Sequence, residues 1–185
     1  EISACLVGSE MCIRDRINDV IDLSKIESGY IELHPDWVNL TELLNESVAE
    51  YVHQVPSGVK LLTNYPEHAF LAELDKLRIK QIVSNFLSNA LKNTTTGYVE
   101  VFYEVDHQFV RIGVKDTGRG IPQNMLEKIF ERFEKLDAFV QGAGLGLSIC
   151  KLIVEKMNGR ILVDSQLGIG TTFVIELPCH SIPVE

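Results

Sequence analysis

The sequence predicts a two-layer α/β sandwich, in which a mixed and mainly antiparallel sheet is covered by helices on one face. Three observations favour this fold class. Segments with helical periodicity and segments with strand alternation interleave along the chain, no repeat or low-complexity tract interrupts them, and two pairs of alternating segments are close enough to form hairpins. Such interleaving is typical of one sheet layer packed against one helix layer.

The composition is that of a globular chain. It has 185 residues, of which 45% are hydrophobic and 23% are charged, with a formal net charge of −9. The acidic balance argues against nucleic acid as a partner, because phosphate backbones are bound by clustered Lys and Arg. No apolar run approaches the roughly 18 residues of a spanning helix, so we expect no membrane contact by this chain. The four cysteines form no CxxC pair, which favours thiols over structural zinc.

Residues 1–15 are expected to be a non-native segment. The stretch EISACLVGSEMCIRDR resembles translated sequencing-adaptor read-through, it has no helical period, and its short apolar patch lacks the basic flank of a signal peptide. The alternative is an ordinary mobile N-terminus. If the first interpretation holds, the gene continues upstream of Arg16 and this chain is a fragment.

The remaining elements are predicted in order from periodicity and from capping residues. Helices are expected at 16–28 with Gly29 as C-cap, at 41–54 with Thr41 as N-cap, at 75–93, at 123–130 and at 145–157. Strands are expected at 59–63 and around 70–71, in a hairpin of 98–105 with 109–115, and in a closing hairpin of 160–164 with 171–177 through Gly168 and Gly170.

The longest predicted helix carries a polar line. At 100° per residue, Asn85, Asn89 and Lys92 fall within an arc of roughly 60° beside the apolar face. Two carboxamides and an ammonium could hold a metal-bound polyphosphate, since Asn supplies a neutral oxygen to Mg²⁺ and Lys supplies a point charge. For this helix alone, a solvated polar stripe is the better explanation.

Two glycine-bearing segments are the other candidates. The loop DTGRGI at 116–121 begins with a carboxylate that follows a strand. This carboxylate can accept a hydrogen bond from an exocyclic amine such as that of adenine. The two glycines of the loop let its backbone approach a flat ring. The alternative is a strand-exit turn with an Asx-type bond. The stretch GAGLGLS at 142–148 opens a helix, where freed amides form an anion cradle. Its spacing matches neither a Walker loop nor GxGxxG.

The order of these motifs carries a family resemblance. Four motifs follow one another along the chain: Asn85-x-x-x-Asn89-Ala90-x-Lys92, DTGRGI, FERF at 130–133 and GAGLGLS. In this order they resemble the N, G1, F and G2 boxes of sensor histidine kinases. The segment GIGTTF at 168–173 resembles the closing glycine turn of the same family. The match runs from about residue 16 to 177. It implies the ATP-binding sandwich shared with type II topoisomerases, mismatch-repair ATPases and heat-shock chaperones, with ATP and Mg²⁺ as cofactors.

The resemblance also implies residue roles. Asn89 would be the metal ligand, supported by Asn85, and Asp116 would receive the adenine amine. A lid from 130 to 142 would carry Lys135 near the γ-phosphate, with Arg132 as the competing candidate. The remaining pocket residues are expected to be Lys92 at the phosphates, Gly118, Gly120 and Ile121 beside the ring, Gly142, Gly144, Leu145, Gly146 and Leu147 around the phosphates, and Thr172 in the pocket wall. Asn93 departs from the family pattern, in which an aromatic residue is commoner.

Asn85 favours a kinase over an ATPase. The family members that hydrolyse ATP carry a Glu four residues before the metal-binding Asn, where it activates water as a general base. An Asn cannot take that proton at neutral pH. The site is therefore expected to transfer the γ-phosphate to an external nucleophile by positioning and charge neutralisation.

The nucleophile itself is expected to be missing. None of the five histidines has the family's phosphoacceptor setting, and 17–26 resembles the end of the second dimerisation helix. The expected organisation is a helix remnant at 16–29, an ATP-binding kinase domain at 30–178 and a tail at 179–185. The resemblance implies a cytoplasmic domain of a homodimeric kinase whose partners are its own dimerisation domain and a response-regulator receiver domain. The alternatives are a non-catalytic nucleotide-binding scaffold and a stand-alone serine kinase of the same fold.

Overall fold

The structure is a computed structural model that describes residues 32–106, 108–131 and 145–184. The expected non-native segment, the helix predicted at 16–28 and most of the expected lid lie outside the described residues. The helices are α1 (Leu40–Tyr51), α2 (Lys76–Asn93) and α3 (Gly146–Lys156). The strands are β1 (Asp36–Asn39), β2 (Val59–Asn64), β3 (Phe70–Leu74), β4 (Gly97–Asp106), β5 (Phe109–Asp116), β6 (Arg160–Gln166), β7 (Gly170–Pro178) and β8 (Ser181–Pro183).

The main sheet has five strands in the order β2-β4-β5-β7-β6. Its β2–β4 pair is parallel and its other pairs are antiparallel, which confirms the predicted mixed and mainly antiparallel sheet. A second, three-stranded sheet has the order β1-β3-β8 with antiparallel pairs. Among the described helices, none is both long and apolar enough to cross a membrane.

The core lies between the main sheet and the helices. On β4 the inward side chains of Val99, Val101 and Tyr103 are buried in strict alternation. On α2 the ring of Phe86 stacks on the ring of Phe173 in β7, with 5.2 Å between centroids. Burial of a Phe stabilises the fold by roughly 1.5–3 kcal/mol, so this contact fixes α2 over the sheet.

The N-cap of helix α1 is a different residue from the one that the sequence predicts. The helix begins at Leu40 because the side chain of Asn39 accepts the N–H of Glu42 at 3.3 Å, so the predicted Thr41 cap is wrong. The Thr41 hydroxyl instead bonds the Tyr103 hydroxyl at 2.8 Å. The α-helical part ends at Tyr51, and the last residues of the predicted helix, Val52–Gln54, form a 3₁₀ turn.

Three shorter elements also differ from the sequence prediction. The helix predicted at 123–130 is two 3₁₀ turns, Gln123–Met125 and Lys128–Phe130, and neither has a side-chain cap to propagate an α-helix. Strands β1 and β8 were not predicted, because segments of four and three residues are too short to display alternation. Strand β8 lies within the expected tail, where it pairs with β3.

Candidate nucleotide-binding site

The polar line of α2 is a connected ladder of three asparagines. Asn85, Asn89 and Asn93 lie four residues apart on one helix face. The Asn89 side-chain Nδ2 donates to Asn85 Oδ1 at 3.1 Å, and Asn93 Nδ2 donates to the main-chain oxygen of Asn89 at 2.7 Å. At 1.5 Å per residue the ladder is about 12 Å long. We call the Asn85 end the phosphate end and the Asn93 end the base end.

The start of α3 lies against the phosphate end. A Cβ atom on Gly146 would lie 2.2 Å from Asn85 Nδ2, so an added side chain would have to displace the Asn85 carboxamide. Leu145 is buried and caps the helix, and its main-chain oxygen accepts from the N–H of Ile149 and the hydroxyl of Ser148. The first amides of a helix attract anions, because they lack intrahelical partners and carry the positive end of the helix dipole. This end therefore suits phosphate.

The loop DTGRGI lies against the base end. A Cβ atom on Gly118 would lie 2.3 Å from the main-chain oxygen of Asn93, and the same oxygen accepts the N–H of Arg119 at 3.2 Å. Asn93, which departs from the family pattern, thus joins the loop to the ladder. Sequence reasoning missed this role, although the spacing of four residues from Asn89 is visible in the sequence.

Asp116 is the buried carboxylate of the base end. It is the last residue of β5, it is 6% exposed, and it accepts the N–H of Gly118 at 2.8 Å and the N–H of Thr171. Burial raises the pKa of this carboxyl, and the two N–H donors oppose that rise only in part. A carboxylate offers about four acceptor positions, so it can also accept from an exocyclic amine. Protonation of the carboxylate as the pH falls through the raised pKa removes its charge and part of this acceptor capacity.

The rest of the loop is fastened to the β6–β7 hairpin. Gly120 has φ +69°, and a Cβ atom there would lie 2.1 Å from the main-chain oxygen of Gln166. The N–H of Gly168 donates to the oxygen of Arg119 at 2.7 Å. The buried residue Ile121 donates its N–H to the Ser165 hydroxyl at 2.8 Å. The backbone near the base end is therefore held by main-chain contacts and by the Ser165 hydroxyl.

The two threonines near the expected pocket wall lie on opposite faces of β7. Thr172 pairs with Lys115 across β5–β7, whereas Thr171 pairs with Asp116. Because paired side chains share a face and neighbours alternate, Thr171 lies on the side of Asp116 and Thr172 points to the opposite side. The alternation of side chains along the strand already indicates this arrangement in the sequence. Phe173 is an apolar residue that faces the core, so the side chain of residue 171 also faces the core and that of residue 172 faces away from it.

Not every expected phosphate ligand can be placed. Lys92 is exposed on the same helix face as the ladder, and Leu147 is half-buried in the first turn of α3. Arg132, Lys135, Gly142 and Gly144 lie outside the described residues.

The ladder fits a magnesium ion in one specific way. The Asn89 Nδ2 atom donates to Asn85, and no described residue donates a hydrogen bond to the Asn89 Oδ1 atom. The described residues contain no group of three or more His, Cys, Asp or Glu that could hold a metal. Magnesium bound here would therefore take one protein oxygen and complete its shell with phosphate oxygens and water, which is usual for nucleotide-bound Mg²⁺.

Comparison with known proteins identifies the class. The family model "Histidine kinase-, DNA gyrase B-, and HSP90-like ATPase" matches residues 74–181, which is more than half of the chain. The chain belongs to this ATPase family, and the predicted family and fold class are confirmed.

The similar proteins within this family are sensor histidine kinases. The chain is 35% identical over 172 residues to the sensor protein EvgS of Escherichia coli K12 and 36% identical over 172 residues to the sensor histidine kinase RcsC of the same organism. These alignments cover 88% and 89% of this chain but only 14% and 18% of the relatives. The chain thus spans less than a fifth of either protein.

Solved structures agree with the fold. Full-length ShkA in complex with AMPPNP is 30% identical with a TM-score of 0.82, covering 96% of this chain and 38% of that one. The catalytic domain of the histidine kinase ThkA is 30% identical with a TM-score of 0.71, covering 79% of this chain and 96% of that one. The chain is therefore an ATP-binding catalytic domain of the histidine kinase type.

Proposed function

We propose that this domain binds ATP·Mg²⁺ along the asparagine ladder and donates the γ-phosphate to a histidine on a dimerisation helix, for relay to an aspartate of a response-regulator receiver domain. One observation supports this most directly: a single helix face contacts both glycine-bearing segments. Gly146 touches Asn85 at one end, and Gly118 touches Asn93 at the other. A carboxylate for an amine and a helix N-terminus for phosphates thus lie along one line.

The base end would hold adenine. Asp116 would accept the exocyclic amine. Gly118 and Gly120 would lie beside the ring, as the resemblance implies, and the lack of a Cβ atom lets the loop pack against the main-chain oxygens of Asn93 and Gln166. The buried side chain of Ile121 would support the loop from inside. These are the roles expected from the family resemblance, and the buried, main-chain-bonded geometry supports them.

The phosphate end would hold the triphosphate and its metal. Asn89 would supply an oxygen to Mg²⁺, and Asn85 would orient the Asn89 carboxamide through the 3.1 Å bond between their side chains. The first turn of α3, with Gly146 and Leu147, would face the phosphates, and Lys92 would add positive charge. We retain Lys135, Gly142 and Gly144 as proposed ligands of the outer phosphates and Arg132 as the alternative to Lys135.

The chemistry of the ladder favours transfer over hydrolysis. All three side chains of the ladder are carboxamides, so none can take a proton from water at neutral pH. In the proposed step a neutral imidazole nitrogen of the acceptor attacks the γ-phosphorus. The bond from that phosphorus to the bridging oxygen breaks, and ADP leaves with the electron pair. The domain would contribute position and charge neutralisation. Use of ATP supports a cytoplasmic location.

Calorimetric titration with AMPPNP tests the nucleotide site. We expect Asp116→Asn to weaken binding by at least about tenfold, because the amide loses the charge and one acceptor position. The matched control is Asp164→Asn, which makes the same change at an exposed residue on the opposite face of the sheet and should bind like wild type. Unchanged affinity of Asp116→Asn would remove Asp116 from the adenine role, and absence of binding by the wild type would refute the site.

Labelling tests the transfer. Incubation with γ-labelled ATP should leave the 185-residue chain unlabelled and should produce acid-labile phosphohistidine in a product extended through the upstream reading frame. Robust labelling of the shorter chain would contradict the proposal that the acceptor lies elsewhere.

A further inference from the structure

Asp75 is a buried carboxylate that lies outside the proposed nucleotide site. It stands between the end of β3 and the start of α2, and it is 5% exposed. Its Oδ1 atom accepts the N–H of Arg78 at 3.0 Å, which makes Asp75 the N-cap of α2. Its Oδ2 atom accepts the main-chain N–H of His34 at 2.9 Å. One carboxylate therefore holds the start of the ladder helix and a residue 41 positions away in the chain.

Both bonds of Asp75 have one possible direction. A main-chain N–H can only donate, and an ionised carboxylate can only accept. Hydrogen bonds to a charged acceptor are stronger than those between neutral groups. Asp75 thus does more than cap a helix, because it also fixes the backbone at His34 relative to α2.

His34 belongs to the segment that leads into the domain. We call residues 32–35 the connecting segment, and β1 follows it directly. Three of its four side chains are exposed, so packing contributes little to its position. Pro35 restricts His34 to extended backbone, which leaves the main-chain bond to Asp75 as the contact that sets where this stiff pair lies.

We propose that Asp75 is a positioning residue for phosphoryl transfer: by bonding His34 it fixes the connecting segment relative to the asparagine ladder, and so sets the direction from which the acceptor histidine meets the γ-phosphate. This inference rests on the proposed function, in which the acceptor lies on a dimerisation helix upstream of the connecting segment and ATP lies along the helix that Asp75 caps. Asp75 touches neither nucleotide nor acceptor and acts through His34.

Substitution at Asp75 separates capping from positioning. Asp75→Ser keeps a strong N-cap for Arg78 but lacks the second oxygen that His34 uses, and Asp75→Asn caps as well as Asp while its Nδ2 atom cannot accept from His34. Two quantities are measured: the AMPPNP dissociation constant, and the rate of phosphohistidine formation at saturating ATP in the product extended through the upstream reading frame. In both variants we expect unchanged affinity and a transfer rate about fivefold lower, because one bond to a carboxylate is lost.

Hydrogen exchange measures the bond itself. In the wild-type chain the His34 amide should exchange at least about tenfold more slowly than in Asp75→Ser, since only the wild type offers it an acceptor. An unprotected His34 amide in the wild type would overturn the proposal without any variant.

Asn39→Ala is the matched control for capping. It removes the N-cap of α1 and leaves the bond between His34 and Asp75 in place, so it should lower stability and keep the transfer rate at saturating ATP. If Asp75→Ser and Asp75→Asn transfer at the wild-type rate, or lose transfer only as far as they lose AMPPNP affinity, Asp75 merely caps α2 and the proposal is overturned. If the extended wild type forms no phosphohistidine although its His34 amide is protected, the proposed function is what fails.

Discussion

The two ends of the asparagine ladder are built by different means. At the base end, buried Asp116 is bonded by main-chain N–H groups, and the loop around it is fastened to β6 and β7 by backbone contacts. At the phosphate end, the polar groups are half-buried carboxamides and an exposed Lys92. The shape of the base end is therefore set by backbone contacts of the fold, whereas the phosphate end depends on side-chain identity and charge. Substitutions should act through shape at one end and through charge at the other.

The largest effect is expected for Gly120→Ala at the base end. A Cβ atom there would lie 2.1 Å from the Gln166 oxygen, at φ +69°. The backbone has to move, so we expect AMPPNP binding to weaken more than about tenfold and the protein to lose more than about 2 kcal/mol of stability. Calorimetry and thermal unfolding measure the two effects.

The control for that change is Gly168→Ala. Gly168 also has a positive φ, +79°, but no atom lies within 4 Å of the added Cβ. It should lose only the roughly 1–2 kcal/mol of backbone strain and keep its affinity. Equal losses of affinity in the two variants would show that strain alone, and not contact with β6, sets the shape of the base end.

A smaller effect is expected for Asn85→Glu at the phosphate end. A carboxylate four residues before Asn89 can accept a proton from water, so we expect release of inorganic phosphate from ATP to rise about tenfold above the wild-type rate. Asn85→Gln, which cannot accept a proton, is the matched control. A rate that rises equally in both variants would exclude proton abstraction as the cause.

Gly146→Ala should weaken AMPPNP binding by roughly three- to fivefold when Mg²⁺ is present. The added Cβ would lie 2.2 Å from Asn85 Nδ2, and a side chain can move where a backbone cannot. Stability should not fall, because Ala is the better helix former by about 1 kcal/mol. Titrations with and without Mg²⁺ distinguish this from a loss of fold, and a loss that is identical without the metal would contradict a role for Asn85 in orienting Asn89.

The smallest effect is expected for Lys92→Ala. An exposed ammonium acts through a screened field, so affinity should fall about two- to threefold at low salt and less at high salt. Lys60→Ala, an exposed lysine on β2, is the control and should not change the affinity. A loss that is independent of salt would indicate a direct, desolvated contact between Lys92 and phosphate.

Most of the site could be predicted because its residues are contiguous in short motifs. Asn85 and Asn89 stand one helical turn apart, Asp116 and Gly118 share one loop, and Gly118 and Gly146 lie against the two ends of the ladder. The exceptions have tertiary causes. The pairing of Thr171 with Asp116 across β5–β7 was not predicted, because it depends on the register between two strands that are distant in the chain. Ser165 was missed because its partners belong to the Asp116 loop and to β7.

The sequence by itself determined the fold class, the order of the elements and the family, because hydrophobic periodicity and glycine-bearing motifs are local properties of the chain. Only the tertiary structure decided that Asn93 meets the Gly118 loop, that Gly146 meets Asn85 and that the hydroxyls of Ser165 and Thr171 are hydrogen-bonded to each other. Each of these contacts joins segments that are distant in the chain, so its existence depends on how the helices pack on the sheet and on how the strands pair.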